Sequence, residues 1–201
     1  MRRLTKRNFN ENGAQIGTSD FITRLLACCH HEPRKRLKEL RVLKSELSKT
    51  AKDRFYPLVA DLFQQLGCEA HCGRTGDTSN RVDVEIKWKG KLIPAEVKSP
   101  QETHYHDVKS IRQALENKVV CLARYSKITL KNHTSLSVAF DYPNERSDVH
   151  ELVCDIYKTF GIRVGMVDIH DLMESVIYQK EGAFEWSKMS TLLGRYDEAT
   201  D

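Results

Sequence analysis

Arg81 to Pro100, RVDVEIKWKGKLIPAEVKSP, alternates apolar and polar residues on both sides of Lys89-Gly90. This is the pattern of two half-buried strands joined by a tight turn. With Lys89-Gly90 as a two-residue loop, Trp88 faces Lys91 and the numbers of facing residues sum to a constant, which sets Asp83 opposite Glu96. Val82, Val84, Ile86 and Trp88 then share one face with Ile93, Ala95 and Val97. Arg81, Asp83 and Glu85 gather beside Glu96 and Lys98 on the other. One face is core, and the other collects charge.

Like charges directly opposite each other destabilise a sheet, more so when sheltered from water. Asp83 against Glu96 therefore calls for a cation. Two hard carboxylates about 5 Å apart at their β-carbons suit Mg²⁺, which takes oxygen ligands and commonly binds through one or two carboxylates plus substrate phosphate. Mn²⁺ is an expected substitute. Lys98 projects from the same face, placed to hold a phosphate oxygen or to orient and deprotonate an attacking water.

Asp83, twelve intervening residues and then Glu96-Val97-Lys98 resemble the motif of the PD-(D/E)XK nuclease superfamily, with Val82 where the motif name has proline. The chain offers other short matches, Glu85-Ile86-Lys87, Asp107-Val108-Lys109 and Glu116-Asn117-Lys118. Only Glu96 and Lys98 sit late in a hairpin with an Asp on the facing strand and an apolar opposite face. Glu85 and Lys87, with Asp77 upstream in the turn-like GDTSN, form the runner-up set.

The hydrophobic content of 40% and charged content of 30% over 201 residues fit a soluble chain with one substantial domain, or a core domain with an appendage. No apolar run approaches the ~18 residues of a membrane helix, and no signal-peptide core is visible, so the expected location is cytoplasmic. The six cysteines then read as buried or incidental thiols rather than a disulfide framework. A zinc site drawing on Cys28-Cys29-His30-His31 and on Cys68, His71 and Cys72 is the alternative. Residues 1–52 hold 13 Lys and Arg against 5 Asp and Glu, and the remainder holds 19 against 23. A basic region beside an acidic one suits a binder of phosphate backbones, although a solvated helical face would look the same.

Along the chain, residues 1–17 read as a basic arm. From Ser19, an expected N-cap, Phe21, Ile22, Leu25, Leu26 and Cys29 recur at helical spacing up to Pro33. Leu37, Leu40, Leu43 and Leu47 mark a second helix with Arg34, Lys35, Lys38 and Arg41 mainly off that stripe. Lys35, Lys38 and Arg41 are the expected DNA contacts. Phe55, Leu58, Val59, Leu62, Phe63 and Leu66 mark a third helix stopped by Gly67. Pro57 fits its first turn, or a kink if the helix begins as early as Ser48. A strand is expected within 68–75, then the hairpin. A connection follows in which His104 and His106 could meet substrate. Val108, Ile111 and Leu115 suggest a helix, and VVCLARY a buried strand.

That αβββαβ order is also the common core of the PD-(D/E)XK fold, so the resemblance extends over roughly residues 50–125. It implies a mixed central sheet flanked by helices, a restriction-endonuclease-like core with a basic helical N-terminal region. In relatives an early helix often supplies a further acid. Tyr56 stands there in this chain, with Asp53 and Asp61 a turn away on either side. The resemblance also makes Gln113, on the helix after the hairpin, a candidate border of the metal site.

The expected organisation is a basic helical region (1–49), a nuclease-like α/β domain (50–180) and a tail (181–201). SLSVAFDY, IRVGMVDI and the helices opening at Ser147 and near His170 extend the sheet and its cover. The resemblance implies a Mg²⁺-dependent endonuclease acting on double-stranded DNA, most like a homodimeric type II restriction enzyme. Asp83 and Glu96 would be its metal ligands, and Asp83, Glu96, Lys98 and Gln113 its catalytic set. A repair or junction-resolving nuclease, a non-catalytic DNA-binding module of the same fold and a zinc-stabilised interaction protein are the alternatives.

Overall fold

A computed structural model of the protein describes residues 17–73, 82–88, 91–124 and 134–184. The basic arm up to residue 16, the loop with Asp77 and Arg81, the Lys89-Gly90 turn, and the tail with Trp186, Leu192 and Leu193 lie outside the described residues. The chain order is α1 (Thr18–Ala27), α2 (Pro33–Leu47), α3 (Lys52–Gln65), β1 (Glu69–Cys72), β2 (Val84–Trp88), β3 (Lys91–Val97), α4 (Val108–Arg124), β4 (Thr134–Ala139), α5 (Asp148–Phe160), β5 (Arg163–Asp168) and α6 (Ile169–Lys180).

The five strands form one sheet in the order β1-β2-β3-β4-β5. The first two pairings are antiparallel and the last two parallel, which is the mixed sheet expected. Trp88 pairs with Lys91 and Val84 with Ala95, the register read from the alternation. Pro94 is tolerated in β3 because of where its missing N–H would point. Lys98 N donates to Val138 O at 2.8 Å, so even-numbered N–H groups of this strand face β4, and the β3–β4 ladder begins only at Ala95.

Helices cover both faces. Val84, Ile86, Ala95, Val97, Leu136 and Val138 pack with Phe55, Leu62 and Phe63 of α3, Leu172 and Val176 of α6, and Phe21, Leu25, Leu40 and Leu43 of α1 and α2 in a single apolar cluster. On the opposite face, Ile111 and Ala114 of α4 and Val149, Val153 and Ile156 of α5 pack with Val164 and Met166. The N-terminal helices therefore share the core of the sheet. Ser147 caps α5, accepting from Val149 N at 3.4 Å, and Gly161 closes it at φ 64°, a left-handed conformation that favours glycine.

Several expectations are corrected. VVCLARY is not a strand: it lies mostly in α4, which runs unbroken to Arg124, and the fourth strand is β4. The αβββαβ order survives, shifted to end at Ala139. Ser19 is not the N-cap of α1, since Phe21 N already bonds Gly17 O at 3.0 Å and the cap position is Gly17. Pro57 sits in the second turn of α3, because Lys52 rather than Ser48 opens the helix. Val82 leaves the hairpin's apolar face: β2 bends at Asp83, and Val82 packs with Leu92 and Cys121 instead. Among the described residues, no helix is long and apolar enough to cross a membrane.

Candidate active site

The bend at Asp83 is what builds the site. Since even-numbered N–H groups of β3 face β4, Val97 N points toward β2, at the place where β2 has left the ladder. Asp83 supplies the missing acceptor with its side chain: Val97 N donates to Oδ2 at 2.9 Å. Its own carbonyl turns outward and accepts from Gly73 N at 2.9 Å. A Cβ at position 73 would lie 2.7 Å from Val82 O, so only glycine lets the chain pass there.

Glu96 follows on β3, 4% exposed. Lys98 Nζ donates to its Oε1 at 2.9 Å and to Gln113 Oε1 at 2.9 Å. Asn117 Nδ2 donates to Glu96 Oε2 at 3.0 Å. Asp83, Glu96, Lys98 and Gln113 are thus gathered at one end of the sheet, with Lys98 joining the hairpin to α4. Asn117 completes the set. It lies one turn beyond Gln113, and i, i+4 positions share a helix face, so a Gln113 aimed at the site brings Asn117 with it.

Burial, with the nearby charge of Glu96, pushes the Asp83 carboxyl up to about 7; the expected ladder pairing of Asp83 opposite Glu96 is not formed, since the register starts at Val84 and Ala95. Burial alone would discharge Lys98, but the Glu96 hydrogen bond and the charges of Glu96 and Asp83 outweigh it and raise the ammonium's pKa. The centre holds the Lys98 cation against the side chains of Asp83 and Glu96. Each Glu96 oxygen spends one acceptor position on a protein donor and keeps another, and Asp83 Oδ1 is not the atom bonded to Val97. This all-oxygen, anionic set fits a hard divalent cation.

Glu102 belongs to the same neighbourhood and was missed by the pattern reading. Its Oε2 accepts from Ser99 N at 3.1 Å, Ser99 Oγ at 2.9 Å and Tyr56 OH at 3.0 Å. Burial works against ionisation, yet the bonds from Ser99 and Tyr56 hold this carboxyl below its ordinary value. Ser-Pro-Gln-Glu at 99–102 carries the S-x-x-E spacing of a capping box, a signal present in the sequence. Tyr56, whose phenol is pushed up by burial and by Asp83 and Glu102, stays neutral and donates.

The remaining candidates distribute as follows. Lys35, Lys38 and Arg41 are exposed on α2. The same helix is tied to the carboxyl ends of β4 and β5 by Lys44, whose Nζ lies 2.7 Å from Asp141 Oδ1, 3.2 Å from Asp168 Oδ2 and 5.2 Å from the Phe140 ring centre. Gln101 Nε2 donates to Lys49 O at 2.8 Å, joining the segment after Lys98 to the end of α2. His106 is turned inward, 2% exposed, with Nδ1 2.8 Å from Ser137 Oγ. Burial depresses its pKa to about 3, which keeps the imidazole neutral. His104 lies on the surface, edge-on to Phe140.

Cys28, Cys68 and Cys121 are buried free thiols. Among the described residues, the grouping of three able to share an ion is His170, Asp171 and Glu174, without a cysteine. Asp171 there already accepts from Tyr142 OH at 2.8 Å.

No protein-family model matches the sequence, and no curated protein matches it. Among solved structures, restriction endonuclease FokI superposes with a TM-score of 0.57 at 10% identity, over 85% of this chain and 32% of that one. FokI bound to DNA does so at 0.54 and 12%, over 86% and 31%. This chain thus spans less than a third of either. At such identity the likeness is one of architecture: the mixed α/β fold is restriction-endonuclease-like.

Proposed function

We propose that the protein is a metal-dependent DNA endonuclease that hydrolyses phosphodiester bonds, of the type II restriction kind. The observation that carries this reading is the convergence of Asp83, Glu96, Lys98 and Gln113 at one end of the sheet, in a fold shared with a restriction endonuclease solved on DNA. Mg²⁺, when held by Asp83 and Glu96, would polarise the scissile phosphate and lower the pKa of a water. Asp83 and Glu96 supply the anionic oxygens. Lys98 enters as a charged ammonium, aimed by Gln113 and Glu96, so its part is to position water and steady negative charge on phosphate. Accepting the proton would require Lys98 first to lose its own. Asn117 orients Glu96. The exposed Lys35, Lys38 and Arg41 of α2 grip the backbone of double-stranded DNA, and a homodimer would present two such sites to a two-fold target.

The test is incubation of supercoiled plasmid and linear phage DNA with the protein, with and without Mg²⁺, beside Asp83→Ala and Lys98→Ala. Discrete Mg²⁺-dependent bands lost in both variants are the expected result. Cleavage confined to branched substrates would replace restriction by junction resolution. DNA binding with no cleavage of any substrate would leave a non-catalytic module.

A further inference from the structure

The face of α4 that meets the site continues beyond it. Asn117 donates to Glu96 and Gln113 accepts from Lys98, and four residues nearer the start of the helix the same face carries Lys109. Along this row the side chains pass from buried (Asn117) through half-buried (Gln113) to exposed (Lys109), so the row leads from inside the site to its mouth. The backbone under Lys109 is fixed. Asp107 Oδ1 accepts from Ser110 N at 2.6 Å and Ser110 Oγ from Asp107 N at 3.1 Å, while Ser110 and Ile111 are fully buried. The two acids of the connection before α4 are turned to protein donors, Asp107 to Ser110 N and Glu102 to Ser99 and Tyr56. Lys109 has no ion pair among the described residues.

A second exposed group reaches the same end of the sheet from the other side. Lys98 N donates to Val138 O at 2.8 Å. Three residues further on, Asp141 bridges Tyr105 and donates from N to His104 O at 2.8 Å. Three residues reach at most about 11 Å, which bounds how far Tyr105 stands from the backbone partner of Lys98. Its ring is 55% exposed and is backed by His104, itself edge-on to Phe140. We propose that Lys109 and Tyr105 hold the strand to be cut at the mouth of the site. Lys109, about 6 Å along the helix from Gln113, takes a backbone phosphate within about two nucleotides of the scissile one, as a point charge suited to phosphate. Tyr105 lays the apolar face of its ring against a neighbouring sugar. The inference rests on the endonuclease reading above and adds binding residues at the site itself, separate from the cations of α2.

The test uses the full chain and a labelled duplex that the wild type cuts, with the cut mapped by sequencing. Duplexes ethylated at single phosphates are digested, and the molecules that escape cleavage are mapped. Ethylation within about two nucleotides of the cut is expected to protect against the wild type, and Lys109→Gln should become indifferent to one of those ethyl groups while keeping the rest of the pattern. Its KM for DNA should rise roughly tenfold with a much smaller change in kcat, and the salt slope of binding should flatten by about 1. Lys109→Arg should restore the wild-type pattern and KM. Tyr105→Ala is expected to raise KM about fivefold, and Tyr105→Phe to match the wild type. Unchanged ethylation patterns and KM in Lys109→Gln and Tyr105→Ala, beside cleavage abolished in Asp83→Ala, would overturn the strand-holding role and leave the nuclease reading standing. Loss of activity in Lys109→Gln with every ethylation signal retained would also overturn it. A wild-type chain that cuts no DNA would overturn both.

Discussion

Asp83 has a structural bond and, in the proposed reading, a chemical role. Oδ2 stands in for a ladder carbonyl toward Val97 N, while burial and the nearby charge of Glu96 push the carboxyl's pKa well above its ordinary range. Asp83→Asn separates the two roles, because an amide oxygen can still accept from Val97. Cleavage is expected to drop roughly 100-fold or more, the usual scale for losing a group that holds transition-state charge. In EDTA at pH 8, however, urea unfolding should show the variant more stable than wild type by on the order of 2 kcal/mol, part of the shift being screened by water. A variant less stable than wild type would mean that the carboxylate pair is not in conflict. Glu96 and Lys98 were legible from the sequence because a two-residue period puts them on one face, and Asp83 was legible as the residue leading into β2, although the bend there replaces the ladder pairing with a side-chain bond to Val97 N. Glu102 was not. Its place follows from a tertiary hydrogen bond to Tyr56, 46 residues away, and periodicity carries no information on such a pairing.

At the scale of elements, α2 is the most exposed to test. Leu40, Leu43 and Leu47 bury one stripe. Lys44 is pinned between Asp141 and Asp168, which anchors the helix at the end of the sheet where the candidate site lies. Lys35, Lys38 and Arg41 face water. Replacing these three by Gln should leave thermal stability nearly unchanged, since exposed cations contribute little to it. DNA affinity should weaken, and the slope of log K against log salt should flatten by about 2 to 3. Titration of labelled duplex at several salt concentrations reads this directly, and an unchanged slope would move the backbone contacts off α2. The misread element was the second half of α4. VVCL has strand-forming residues, but Val119 is 51% exposed while Ala114, Asn117, Lys118 and Cys121 are buried, a spacing of three and four. Two of the residues holding that period are polar. Asn117 is spent on Glu96 and Lys118 Nζ on Leu92 O at 3.2 Å, so an apolar count along the sequence could not see the helix continue.

For the whole molecule, a metal held by the acidic pair, as proposed, would couple folding to protons and to the cation. Below its ordinary value of 3.8, Asp83 is protonated in both folded and unfolded chains and contributes no pH dependence. Between there and about 7 the folded chain keeps a proton that the unfolded chain has released, so stability falls as pH rises through this window and levels off above it. A cation at the pair competes with that same proton. Mg²⁺ affinity should therefore increase by up to about tenfold per pH unit below 7 and flatten beyond it. Ligand linkage then predicts that saturating Mg²⁺ raises the melting temperature more at pH 8 than at pH 6, while Asp83→Asn shows neither the pH slope nor the Mg²⁺ response. Scanning calorimetry of both proteins at the two pH values, with Mg²⁺ or EDTA, reads all these terms without DNA. An equal Mg²⁺ shift at both pH values would mean that the cation binds away from Asp83.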